Sequence, residues 1–178
     1  MSLLDLATKR HSPRAFDGSA LTWDNLAEAF EVARLSSSSY NNQPWRFVVA
    51  LRGEAEFDAL LNTAVEANRT WMKDAGAIVG VMASTVLEKT GEKDHAALLG
   101  VGMAVGAMEL ALVENGLVSM QAGGFDREAF AATVDMPDHM IAVSLLAVGR
   151  LPESQSLPAS KDRKSLEEIA FKVGDALR

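Results

Sequence analysis

Ala77-Ile78-Val79-Gly80-Val81-Met82-Ala83 is apolar at every position, with no alternation between faces. A strand that must bury both faces is stable only inside a sheet covered on both sides, so this segment predicts a central strand with further layers above and below. The rest of the chain supplies those layers. Leu3, Leu4 and Leu6 suggest a short opening helix. Thr22 is placed to N-cap a helix in which Leu26, Ala29, Phe30 and Ala33 repeat at helical spacing to Leu35. Phe47 to Leu51 reads as a strand, and Glu54 to Glu66 as a helix with Phe57, Leu60, Leu61 and Ala64 inward.

Asp94 to Asn115 predicts a long helix closed by Gly116 at its C′ position. Leu98, Leu99, Val101, Met103, Val105 and Met108 surround most of its circumference, so it should be buried, partly by a second subunit. Leu117 to Ala122 and Ile141 to Val148 read as further strands, separated by a short helix from Asp126 to about Val134. Ser165 with Glu168 forms a capping box that opens a closing helix to Ala176. Helices and strands alternate without a strict βαβ rhythm, which predicts an α+β sheet sandwiched by helices, one domain over residues 1–178. Pro152 to Ser160 is the one linker-like stretch.

A formal charge of -7 argues against a nucleic-acid partner, which needs a basic face to displace phosphate counterions. The absence of cysteine excludes thiolate metal sites and a Cys nucleophile. His11, His95 and His139 fall in no metal-binding spacing, and no G-x-S-x-G elbow supports hydrolysis. Met1 to Arg14 lacks the apolar core of a signal peptide, and the uncharged run Ala96 to Met108 is short for a bilayer. A cytoplasmic protein with no membrane role is expected. Gly100, Gly102 and Gly106 miss the G-x-G-x-x-G spacing and follow helical residues, so they predict close helix packing instead of dinucleotide binding.

The candidate ligand residues lie in loops. Ser36-Ser37-Ser38-Ser39-Tyr40-Asn41-Asn42-Gln43 runs into Pro44-Trp45 and offers many neutral donors and acceptors, fit for a polar, planar ligand. Arg10, Ser12 and Arg14 alternate, so in an extended segment they present two guanidinium groups and a hydroxyl to one anion; Lys161 and Arg163 repeat the pattern. Read alone, each cluster also suits a solvated basic turn. Gly123-Gly124 leaves a strand where backbone can approach a flat ligand, or simply turns.

Taken in order, these segments resemble the FMN-dependent nitroreductase family. Arg10-His11-Ser12-Pro13-Arg14-Ala15-Phe16 is similar to the family's R-x-S-x-[RK]-x-[FY] segment, which implies contacts from Arg10, His11, Ser12 and Arg14 to the FMN phosphate and ribityl chain. Ser38-Ser39-Tyr40-Asn41-Asn42-Gln43-Pro44-Trp45 resembles its S-S-x-N-x-Q-P-W loop, which implies that Ser38, Ser39, Asn41 and Gln43 face the flavin of the other subunit. Asn68 resembles the Asn at the pyrimidine edge, Gly123 and Gly124 the turn near flavin N5, and Lys161 with Arg163 the K-x-R that returns to the phosphate.

The resemblance implies a mostly antiparallel sheet, an intertwined homodimer with FMN at the interface, and ping-pong hydride transfer from NADH or NADPH to a small acceptor. Nitroaromatics and quinones are the expected acceptors; a flavin-sequestering protein with little turnover is the alternative. No side chain serves as a catalytic acid or base, because the flavin carries the chemistry. Two departures stand out: Ser37 where the family often has Pro, and Gly123 where Glu is common. Only Val86 to Asp94 separates the central strand from the long helix, which implies an open, less selective pocket.

Overall fold

The structure is a computed structural model that describes residues 1–156 and 162–173. Its helices are α1 (Leu3–Lys9), α2 (Trp23–Arg34), α3 (Ala55–Thr63), α4 (Glu66–Met72), α5 (Ala97–Glu114) and α6 (Arg127–Thr133). Its strands are β1 (Trp45–Leu51), β2 (Ala77–Ser84), β3 (Val118–Ala122) and β4 (Met140–Gly149), in the order β1-β2-β4-β3 with every pairing antiparallel.

β2 is central, as its uniform apolarity requires. Its alternate residues feed two cores. Ala77, Val79, Val81 and Ala83 pack with α2 and α5 through Leu26, Ala29, Ala104, Val105 and Met108. Ile78 and Met82 pack on the opposite side with Phe57, Leu60, Met72 and Phe130 from α3, α4 and α6. Gly80 explains how α6 comes so close: a Cβ there would stand 2.5 Å from the Phe130 ring, so the ring occupies the space a side chain would need.

Local signals hold at most element ends. Thr22 and Asn25 form a reciprocal capping box on α2, and Asp126 accepts from the Glu128 and Ala129 amides to start α6. Gly116 closes α5 with φ 73°.

Four expectations need correction. The helix predicted from Glu54 to Glu66 is two helices, because Ala64 and Val65 are extended. Ala64 bridges Phe125 and the Val65 amide donates to the Gly124 carbonyl, tertiary bonds that replace the helical ladder. The long helix starts at Ala97, since the buried Asp94 turns back to accept from the Ala96 amide. Its burial within one chain is one-sided: Leu98, Leu99 and Met103 are exposed, while Gly102 and Gly106 face open space and only Gly100 is closely approached, by Pro44. The Ser165/Glu168 capping box forms but leads to a 3-10 turn, Leu166–Glu168, with Leu166, Ile169 and Phe171 exposed. Helical stability comes mainly from burying an apolar face, and this segment buries none within the described chain. Residues 174–176 of the predicted helix, and 157–160 of the predicted linker, lie outside the described residues.

α5 carries two glutamates, yet by length and composition it is apolar enough to cross a membrane, with mean hydropathy 1.7. Half of it is buried within the fold against α2 and the sheet, the position of a core helix.

Candidate functional site

The extended Ala64-Val65 break positions one half of the site. It draws the start of α4 onto the turn after β3, where the Asn68 amide donates to the Gly124 carbonyl at 2.9 Å. A Cβ on Gly124 would lie 3.0 Å from Asn68 Nδ2 and 3.1 Å from Val65, so any side chain here would press on the Asn68 amide. Gly123 differs: it is exposed and a Cβ there would meet nothing within 4 Å. The backbone there is uncrowded by side chains. Asn68 and Gly124 are 56 residues apart, and their pairing was not inferable from local pattern.

The N-terminal segment follows α1, which packs against α5. Arg10 caps the C-terminus of α1, and its guanidinium donates to Ser12 Oγ at 3.0 Å, so these two present one polar side as the alternation predicts. Arg14 is exposed two residues further on, with Pro13 buried between. His11 Nδ1 lies 2.8 Å from the Lys9 carbonyl, while its Nε2 is buried with no partner among the described residues. A buried imidazole nitrogen without a partner is a vacant hydrogen-bonding position in the middle of the candidate phosphate segment.

Beneath this segment lies a carboxylate that sequence reasoning missed. Glu109 on α5 is buried and accepts a long 3.5 Å hydrogen bond from Ser119 Oγ. Burial pushes its carboxyl above the ordinary range, while Arg10, Gln121 and Ser119 act in the opposite direction. Gln121 also accepts from Ser144 Oγ at 3.1 Å. The polar groups thus fall in separate contacts, Arg10 with Ser12, Glu109 with Ser119, and Asn68 with Gly124.

The Ser38-to-Gln43 loop is elsewhere. Pro44 and Ser38 rest on Gly100, nine residues before Glu109 and thus roughly 13 Å away along α5. Tyr40, Asn41 and Gln43 all have positive φ, of 51°, 54° and 46°, an uncommon conformation outside glycine that persists only when surrounding bonds enforce it. Ser38 Oγ accepts from the Gln43 amide at 2.9 Å, closing the loop. Asn42 anchors it from outside: Nδ2 donates to Asp94 Oδ2 at 2.7 Å and to the Val86 carbonyl at 3.1 Å, and Oδ1 accepts from the Glu88 amide at 2.9 Å. The short Val86-to-Asp94 segment, closed by a Val86–Lys93 bridge, is thus stapled to the loop.

Anchored this way, Asn41 and Tyr40 point into solvent; Tyr40 is 85% exposed. Ser39 and Gln43 are half-buried. Within one chain Arg10 meets Ser12 and Asn68 meets Gly124, while Ser38 and Pro44 rest against Gly100 on α5. Arg163 is exposed in the C-terminal segment, and Lys161 lies outside the described residues.

Among curated proteins, the chain is 34% identical over 91 residues to an oxygen-insensitive NAD(P)H nitroreductase of Enterobacter cloacae, covering 49% of this chain and 42% of that protein. It is 35% identical over 77 residues to an oxygen-insensitive NADPH nitroreductase of Helicobacter acinonychis, covering 43% and 36%. The chain thus spans less than half the length of these relatives. Among solved structures, an oxidoreductase containing FMN superposes with a TM-score of 0.88 at 24% identity, covering 97% of this chain and 92% of the other, a likeness of fold. The Nitroreductase family model matches residues 7–150, most of the chain, and the protein belongs to that family.

Proposed function

We propose that the protein is an FMN-dependent NAD(P)H oxidoreductase acting by ping-pong exchange on a small acceptor such as a nitroaromatic or quinone. The observation that carries the reading is the Asn68–Gly124 contact beside the uncrowded Gly123 backbone, together with a basic N-terminal segment that holds the orphaned His11 Nε2. A phosphate-bearing, planar cofactor fits that order of groups. The relatives named for NAD(P)H nitroreductase activity support the same reading.

FMN, when bound, would supply two-electron redox chemistry between NADH or NADPH and the acceptor. The chain's own part is binding and orientation. Arg10, His11, Ser12 and Arg14, with Lys161 and Arg163, would hold the phosphate end. Asn68 would hold the pyrimidine edge, and the Gly123 and Gly124 backbone would lie near N5. Seated on Gly100, roughly 13 Å along α5 from Glu109, Ser38, Ser39, Asn41 and Gln43 would complete the site of a second copy. The exposed apolar row Leu98, Leu99 and Met103 supports such a homodimer.

Anaerobic addition of NADH or NADPH to the FMN-loaded protein tests this. Rapid bleaching of the flavin is expected. Bound flavin that neither nucleotide bleaches would make the protein a flavin carrier instead.

A further inference from the structure

Gln121 is exposed, yet a buried partner holds it. Ser144 on β4, 6% exposed, donates from Oγ to Gln121 Oε1 at 3.1 Å. The strand register brings the two together. Ala122 opposite Leu145 is the last β3–β4 pair before β3 leaves the sheet, and the β2–β4 register slips at Val143 so that Ser144 stands opposite Val81. Such a bulge re-aims side chains, and Ser144 bonds across the point where β3 ends.

Side chains alternate along β3, so Ser119 and Gln121 point to one face. It is the face of α5. Ser119 Oγ meets Glu109 of α5 at 3.5 Å, and Val148 and Leu146, the residues opposite Ser119 and Gln121, pack in the core that contains α5. Ser119 is 3% exposed under that cover, whereas Gln121, two residues nearer the Gly123-Gly124 turn, lies bare. Fixing an exposed glutamine costs side-chain entropy, and here the cost falls beside the uncrowded Gly123 backbone.

We propose that Gln121, oriented by Ser144, lies against the flavin ring beside Gly123 and stabilises the ring's reduced form through its Nε2 hydrogens. The inference rests on the flavin reading, which puts the Gly123-Gly124 backbone near N5. With Oε1 engaged by Ser144, donors are what the amide has to offer a ligand. A hydride brings two electrons and one proton, so the ring gains one unit of negative charge as NADH or NADPH is left as NAD+ or NADP+. A donor fixed in advance at that place favours the charge without having to reorganise, and the neutral oxidised ring gains less from it. Ser144 acts through Gln121 as a positioning residue.

The test is the midpoint potential of bound FMN, read by anaerobic titration against a redox dye, together with the dissociation constant of oxidised FMN. Gln121→Leu should weaken binding of reduced FMN about tenfold relative to oxidised FMN, the scale of one hydrogen bond to a charged group, which lowers the potential by about 30 mV. Gln121→Glu should lower it further, and Gln121→Lys should raise it above wild type, because the two place opposite charges at the ring. Ser144→Ala should lower the potential when Gln121 is present and leave it unchanged in the Gln121→Leu background. Equal potentials in wild type and all three Gln121 variants would overturn the contact while leaving the flavin site standing. Shifts of the same sign for Gln121→Glu and Gln121→Lys, the mark of a general disturbance of the fold, would also overturn it. An equal effect of Ser144→Ala in both backgrounds would overturn the positioning role. Failure of every protein, wild type included, to bind FMN would overturn both this inference and the flavin reading.

Discussion

Removing the Asn42 side chain should do more damage than its place between two motif positions suggests. Asn42→Ala deletes the 2.7 Å bond to Asp94, the 3.1 Å bond to the Val86 carbonyl and the 2.9 Å bond from the Glu88 amide. A hydrogen bond to a charged group contributes roughly 1.5–3 kcal/mol and a neutral one roughly 0.5–1.5 kcal/mol. Water can replace the exposed Glu88 bond, whereas Asp94, 7% exposed, keeps only the Ala96 amide among its described partners. The net loss should be about 2–3 kcal/mol, which for a chain of this size lowers the melting temperature by roughly 5–10 °C. The same bonds hold three non-glycine residues at positive φ, so the freed loop should relax and lose its share of the cofactor site. Thermal unfolding followed by circular dichroism, with FMN affinity measured on the folded variant, checks both parts. A melting temperature within about a degree of wild type, with unchanged FMN affinity, would refute the reasoning.

Arg14→Ala combined with Arg163→Ala should yield mostly flavin-free protein, since each charge-assisted contact to phosphate contributes roughly 1.5–3 kcal/mol; undiminished flavin content on purification would count against the basic ends as one site. Gly124→Ala should destabilise by about 1 kcal/mol or more, because the new Cβ displaces Asn68 and its bond, whereas Gly123→Ala should unfold like wild type in urea but bind FMN more weakly. Burial raises the Glu109 carboxyl, so the folded state holds a proton more readily than the unfolded one. The stability it contributes is fully present below the unfolded value of about pH 4.3 and is lost as pH rises through the raised folded value; Glu109→Gln should flatten that part of the profile in urea titrations. Leu99→Glu with Met103→Glu should give a monomer by sedimentation with much reduced FMN affinity; a monomer that binds FMN at full strength would contradict a site shared between subunits.

The sheet and its two helical layers were legible because they depend on period and burial, which β2, α2 and the strands near Phe47, Leu117 and Ile141 display locally. Caps at Thr22, Asp126 and Gly116 were legible for the same reason. Errors arose where a distant partner overrides propensity. The stretch through Ala64 and Val65 is helix-compatible in composition, and only the Gly124 turn, far along the chain, breaks it. Glu109 and Asn42 carry no local signal either: one reads as an ordinary helix residue, the other as a filler between Asn41 and Gln43. The glycines of α5 were read as helix contacts, yet two of the three face open space in the single chain. Family resemblance implied that the Ser38-to-Gln43 loop serves the other subunit, and the coordinates add that it is seated on Gly100 of α5 and stapled by Asn42 to the segment before that helix.

The most direct measurement of the central claim is the visible spectrum of the purified protein, followed anaerobically as NADH or NADPH is added. The account predicts a yellow protein whose released flavin is FMN and whose flavin absorbance is bleached by at least one nucleotide, then restored by a nitroaromatic or quinone. A colourless protein that takes up no added FMN would contradict it.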